Sequence, residues 1–345
     1  MEDLPRSTPL SSEPLPTSAQ LRTHLEHAYG LQVDSVLPLE LGADAQAATY
    51  RADGGGQRWF LKLHRQAAAG PGVLVPHLLG ATRGLRQVPA PLADRDGRLV
   101  APLSGFAAVL WPYVDAHNGF QLPTPDTAWP QLGALLRAVH DTPVPPELRS
   151  CLPVEDFSAR WRDAVRRRYD AGAERLPAEL AELLREQRGR VLALVQCADE
   201  LAVRLRAEPQ ELVLCHADLH AGNVLTDADG QVSVVDWDEA RLAPPGRDLM
   251  FPGAGIGGVW SDPGQAALFL DAYLAGGEGP DATAIAYYRC ERIVEDVEVT
   301  CADLPDAGRG PAERATMLRQ LQAQFAAGDV VEVAERTAAL LPDRG

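Results

Sequence analysis

The sequence predicts an α+β chain in two lobes, a small antiparallel β lobe over 1–113 and a larger, mainly helical lobe over 114–345, with a hinge near 111–116. Three observations carry this. Short apolar runs separated by Gly-, Asp- and Pro-containing turns fill residues 31–113. From about residue 126 onward apolar residues recur at helical spacing instead. That helical stretch is broken by one block of strand-and-turn pattern, around 213–236.

Element by element, Thr17 or Ser18 opens a helix that closes at Gly30. Strands follow at about 31–41, 46–52, 58–64, 98–103 and 106–113, with Asp53-Gly54-Gly55-Gly56 as the turn before the third. Segment 72–86 reads as a helix, although Pro71, Pro76 and Gly84 interrupt it. Further on, Leu132, Leu135, Leu136 and Val139, then Leu180, Leu183 and Leu184, then Leu268, Tyr273 and Leu274 mark helices. The helix at about 282–301 puts Tyr287, Glu291, Glu295 and Glu298 on one face, which is either a solvated face or the lining of a binding pocket.

The block that breaks the helices carries the chemistry. In Val213-Leu214-Cys215-His216-Ala217-Asp218-Leu219-His220-Ala221-Gly222-Asn223, an aspartate that can orient an attacking hydroxyl precedes by five residues an amide that can ligand Mg²⁺. After the strand Val224-Leu225 and the turn Asp227-Ala228-Asp229-Gly230, a second strand (Val232, Val234, Val235) ends at Asp236, a second metal-ligand candidate. The spacing is that of a kinase catalytic loop. Composition points the same way: Lys62 is the single lysine among 32 basic residues, and Asn118 and Asn223 are the only asparagines. Where Arg otherwise serves everywhere, a retained ammonium suits a place between phosphates that a planar guanidinium does not fit. Lys62 sits on an apolar strand, and the earlier stretch Gly42, Ala43, Asp44, Ala45 and Gln46 reads as the loop that covers the phosphates. At the joint, the carbonyl of Pro112 and the N–H of Val114 are placed to read a purine edge.

On these residues the chain resembles the aminoglycoside phosphotransferase and choline kinase superfamily, whose loop has the form His-x-Asp-x-x-x-x-Asn followed by a strand end such as Asp236-Trp237-Asp238. It is most similar to the spectinomycin phosphotransferase branch, through Leu41-Gly42-Ala43-Asp44, Trp111-Pro112-Tyr113-Val114-Asp115, Arg247-Asp248-Leu249-Met250-Phe251 and the run Tyr287 to Asp296. The resemblance implies a two-lobed protein-kinase-like fold and transfer of the γ-phosphoryl of ATP or GTP, with Mg²⁺, to a hydroxyl of a small acceptor. In that reading Asp218 handles the hydroxyl, Asn223 and Asp236 hold metal, Lys62 contacts the α and β phosphates, and Asp248 braces the loop. Asp238, Glu239, Tyr287, Glu291 and Glu295 are candidates to meet the acceptor. An aminocyclitol follows from the branch; an amino alcohol or a sugar remains open.

A formal net charge of −16 argues against a nucleic-acid partner. No apolar run reaches the length of a membrane span, no apolar leader is evident, and the five scattered cysteines read as reduced core thiols, so a cytoplasmic enzyme is expected. Gly253 to Gly258 matches GxGxxG but follows no strand, and reads as a turn.

One part of a kinase set is missing. The strand lysine is ordinarily paired with a carboxylate on the next helix, yet residues 63–93 contain no Asp or Glu. His77, with Gln66 behind it, is the nearest polar candidate. This keeps a nucleotide-binding pseudokinase or scaffold in view. A protein kinase is disfavoured, because Arg247 follows Asp236 by only eleven positions, which leaves no room for an activation loop.

Overall fold

The structure is a computed structural model that describes residues 15–39, 47–65, 69–172, 176–255, 258–275, 277, 279–305 and 309–341. It divides into two compact units, Met1–His117 with Asp227–Glu239, and Asn118–Thr226 with Ala240–Gly345. The segment bearing Asp236 and Asp238 therefore belongs to the first unit, although chain order alone groups it with the second.

The first unit holds α1 (Ser18–Tyr29) and an antiparallel five-stranded sheet of β1 (Ser35–Leu39), β2 (Ala47–Gly54), β3 (Gln57–His64), β4 (Ala101–Leu103) and β5 (Phe106–Pro112), in the order β1-β2-β3-β5-β4. Helix α1 forms where expected: Thr17 and Gln20 make a reciprocal capping box, and Gly30 at φ 74° ends it in the left-handed region. Along β3 the period of two sends Trp59, Leu61 and Leu63 into a core with Leu21, Leu25, Val36 and Leu110. Lys62 consequently projects from the opposite face, paired in register with Thr49 and Val109.

The expected helix over 72–86 is shorter and changes pitch. α2 (Pro71–Pro76) runs into a π-helical stretch, His77–Thr82, and Gly84 at φ 75° follows. Pro76 supplies no N–H to the ladder, and the chain resumes with the wide Arg83 N–H to Leu78 carbonyl bond of 2.9 Å. β6 (Ala116–Asn118) carries the chain out of this unit.

The second unit contains α3 (Ala128–His140), α4 (Pro146–Arg149), α5 (Arg160–Ala171), α6 (Ala178–Glu186), α7 (Arg188–Ala207) and the strand β7 (Val213–Cys215). β8 (Val224–Asp227) leads back to the first unit, which adds β9 (Val232–Val234). The second unit then resumes with β10 (Arg241–Ala243), α8 (Gly246–Leu249), α9 (Pro263–Leu274), α10 (Ala282–Asp303), α11 (Pro311–Gln324) and α12 (Val330–Ala339). β10 pairs antiparallel with β7, and the two clamp the base of the catalytic loop. α10 packs against α5, α7 and α12, and its side chains Tyr287, Tyr288, Cys290, Ile293, Val294 and Val297 are buried. No helix among the described residues is long and apolar enough to cross a membrane.

Two expectations are corrected here. The face of α10 that bears Tyr287 and Glu291 is not solvated: Tyr287 is 2 % and Glu291 5 % exposed. Of the cysteines, all free, Cys215, Cys290 and Cys301 are core thiols as expected, but Cys151 is exposed and Cys197 half-buried.

Candidate active site

In the second unit the loop after β7 is shaped by one buried carboxylate. Asp248, at the start of the segment after β10, is fully buried and accepts from the N–H of His216 (2.8 Å) and of Ala217 (2.6 Å). Those bonds hold Ala217 at φ 69°, a left-handed conformation that an alanine seldom adopts. His140 completes the brace, with Nε2 3.1 Å from the same carboxylate and Nδ1 2.8 Å from the Tyr273 hydroxyl. The carboxylate on one side and the hydroxyl on the other assign the ring proton to Nε2. Burial alone would push the Asp248 pKa up; the hydrogen bonds from His140 and from the Ala217 N–H outweigh it and hold the carboxyl below its usual value.

Past this bend Asp218 stands about a quarter exposed, with both carboxylate oxygens engaged. Oδ1 accepts from Arg292 Nη1 at 2.7 Å. Oδ2 lies 3.4 Å from His220 Nε2 and 3.4 Å from Asn223 Nδ2. His220 Nδ1 accepts from the N–H of Gly222 (2.9 Å), so its proton sits on Nε2, toward Asp218. Burial raises the Asp218 pKa, but the His220 hydrogen bond and the Arg292 guanidinium reverse that and hold it well below the carboxylate range. Such a group is a weak base and a good hydrogen-bond acceptor, suited to orienting a hydroxyl.

Asn223 closes the loop's 3₁₀ turn, Ala221–Asn223, and donates from Nδ2 to the Asp218 carbonyl at 2.8 Å. With the amide nitrogen so committed, Oδ1 is the atom left for a ligand, and it has no hydrogen-bond partner among the described residues. An oriented, unclaimed amide oxygen fits a hard cation such as Mg²⁺.

In the first unit, Trp237 is buried and donates to the Val234 carbonyl at 3.2 Å, so its neighbours Asp236 and Asp238 both face outward. Asp236 adopts φ 64°, a non-glycine residue held in the left-handed region, which is the kind of backbone strain that clusters at functional positions. Asp238 Oδ2 accepts from Lys62 Nζ at 2.7 Å, with Lys62 14 % and Asp238 49 % exposed. This is the carboxylate that residues 63–93 lack. His77 does not supply it; its Nδ1 is buried without a partner among the described residues. Gln66 and the loop Gly42, Ala43, Asp44, Ala45 and Gln46 lie outside the described residues, as do two residues of the Gly253 to Gly258 turn.

At the end of β5, the N–H of Tyr113 bonds the Arg58 carbonyl at 3.0 Å, and the guanidinium groups of Arg58 and Arg51 stand 5.6 Å and 5.9 Å from the centre of its ring. Val114 N–H has no backbone partner among the described residues and is available to a ligand.

The remaining candidates fall differently. Glu239 is exposed. Tyr287 and Glu291 bind Arg162, a fully buried residue of α5 that also donates to Asp199 (2.8 Å) and to the carbonyls of Phe157 and Ser158. Glu295 is half-buried, and Glu298 pairs with Arg168. Sequence reasoning missed Arg292. It lies on the same helix, but one arginine among 31 carries no compositional signal.

A braced loop that presents an aspartate and an asparagine, together with a strand lysine paired to a carboxylate, defines a kinase-like phosphotransferase. Residues 36–286 match the phosphotransferase enzyme family (APH), and the chain belongs to that family. It superposes with a TM-score of 0.85 on the crystal structure of spectinomycin phosphotransferase APH(9)-Ia in complex with ADP and spectinomycin, at 30% identity over 95% of this chain and 100% of that one. The structure of a microcompartment-associated aminopropanol kinase shares the fold at 17% identity and a TM-score of 0.63, over 93% of this chain and 97% of that one. Protein StrN of Streptomyces griseus is 31% identical over 196 residues, which span 52% of this chain but only 58% of StrN. The expected two-lobed protein-kinase-like fold, and an enzyme class of phosphotransferases with an alcohol group as acceptor, are those of the family.

Proposed function

We propose that this protein transfers the γ-phosphoryl group of ATP or GTP to a hydroxyl of a small acceptor of the aminocyclitol kind, as the similarity to spectinomycin phosphotransferase suggests. The observation that carries the reading is the Asp218–Asn223 pair: one acceptor group aimed at a hydroxyl and one amide oxygen left for a cation, on a loop fixed by Asp248. Asp218 accepts a hydrogen bond from the acceptor hydroxyl and orients it. In a loose transition state the hydroxyl keeps its proton until late, so the step calls for an orienting acceptor rather than a strong base. Asn223 and Asp236 are the residues that would hold Mg²⁺, which when bound neutralises phosphate charge. Lys62, oriented by Asp238, contacts the α and β phosphates, and Pro112 and Val114 read the purine. Catalysis of this type consists mostly of positioning and charge complementarity.

The pseudokinase reading rested on the missing carboxylate, and Asp238 removes that support. The test is a panel of hydroxyl compounds, spectinomycin among them, incubated with γ-labelled ATP or GTP and read for labelled product. Transfer to spectinomycin or a related aminocyclitol is expected. Transfer only to amino alcohols or sugars would reassign the acceptor, and nucleotide binding without transfer to anything would restore the scaffold.

A further inference from the structure

Arg292 does more than pair with Asp218. Its Nη1 reaches Asp218 Oδ1 at 2.7 Å and its Nε reaches Asp296 Oδ1 at 3.0 Å. Asp296 is itself fixed, accepting from Gln324 Nε2 at 2.9 Å through its other oxygen. The guanidinium is thus held at two of its three nitrogens. The third, Nη2, has no hydrogen-bond partner among the described residues and is not buried. A planar fork carries Nη2 beside Nη1, so two N–H donors stand next to the carboxylate that orients the acceptor hydroxyl. Those donors do not constitute an anion site. Asp218 and Asp296 neutralise the guanidinium, Glu295 adds a further negative charge nearby, and an anionic acceptor would be repelled. What remains is a directional donor for a neutral oxygen.

We infer that Arg292 selects the acceptor: Nη2 takes an oxygen on the carbon next to the one whose hydroxyl Asp218 orients. The substrate class is a compound with vicinal oxygens, as in a cyclitol or sugar diol. A lone hydroxyl offers Nη2 no oxygen in place of its water. This rests on the phosphotransferase reading and adds the acceptor's local chemistry to it.

A matched pair of probes tests the inference: trans-cyclohexane-1,2-diol and cyclohexanol, with spectinomycin alongside, each with γ-labelled ATP. Wild-type kcat/KM should favour the diol over cyclohexanol by about 10- to 10²-fold, the worth of one hydrogen bond to a charged group. In Arg292→Gln that ratio should fall to within about threefold. Arg292→Lys, which retains a charge for Asp218 but has no second nitrogen in the plane of a fork, should lose the ratio too while keeping a higher kcat than the Gln variant. Any general loss from a less well-positioned Asp218 lowers all acceptors alike and cancels in the ratio. Equal wild-type turnover of cyclohexanol and the diol overturns the inference whether or not the variants fold, and so does a preference that survives both substitutions. Absence of transfer to all three probes overturns the aminocyclitol acceptor and this inference with it, whereas transfer without preference overturns only the latter.

Discussion

Lys62 and Asp238 are 176 residues apart in the chain, and Nζ and Oδ2 are 2.7 Å apart in space. The lysine's acidic partner thus comes from the end of the catalytic hairpin rather than from the helix after its own strand. Gly72, on that helix, makes room: a Cβ there would lie 1.7 Å from Asp238 Oδ1.

The pair yields a steric test as well as a charge test. Asp238→Ala should lower kcat/KM for the nucleotide by about 10- to 10²-fold, the effect of a misplaced phosphate contact. Gly72→Ala should do the same although both charges remain, even though Ala ordinarily favours a helix by about 1 kcal/mol. Lys62→Arg should also lose about 10²-fold, because the wider fork displaces the phosphates. Steady-state kinetics with varied nucleotide checks all three, and full activity in Gly72→Ala would show that the close approach does not matter.

Asp218→Asn should keep nucleotide affinity within a few-fold while kcat falls by about 10² to 10⁴. Calorimetry gives the first quantity and product formation the second. Unchanged turnover would take Asp218 out of the mechanism.

Asn223→Ala and Asp236→Ala should each weaken nucleotide binding in the presence of Mg²⁺ and leave metal-free binding nearly unchanged. Titrations with Mg²⁺ and with EDTA separate the two. If the loss is the same in both, the side chains act on the nucleotide directly and not through a cation.

Asp248→Ala should cost about 2–5 kcal/mol, since it strands two buried N–H groups and His140. The pH dependence has a definite sign. A carboxyl whose folded pKa is depressed stabilises the protein above its unfolded value of about 3.9 and loses that contribution as pH falls through the folded value. The stability of wild type over Asp248→Asn should therefore be constant from about pH 7 to 5 and shrink below about pH 4. Denaturant melts across that range check it; a difference that grows on acidification contradicts the brace.

Glu291→Ala should destabilise by about 3–5 kcal/mol, because it leaves the buried Arg162 short of a partner, while KM for the acceptor stays put. A shifted KM at unchanged melting temperature would return Glu291 to the acceptor pocket.

What the sequence determined by itself was local. The spacing of Asp218, Asn223 and Asp236 is written along one stretch of chain, as are the caps of α1 and the alternation in β3 that turns Lys62 away from the core. Each depends on residues a few positions apart, so pattern suffices. The brace by Asp248 was legible only through resemblance. What the tertiary structure decided were relations between distant segments. Periodicity on α10 shows that Tyr287 and Glu291 share a face but not which side that face meets; Arg162, 129 residues before Glu291, made it the buried one. Asp238 rather than His77 answers Lys62, because chain reversal at the hairpin brings a remote carboxylate closer than any neighbour along the helix. Arg292 became visible only when its nitrogen stood on Asp218. An ion pair is a matter of distance in space, and sequence records distance only along the chain.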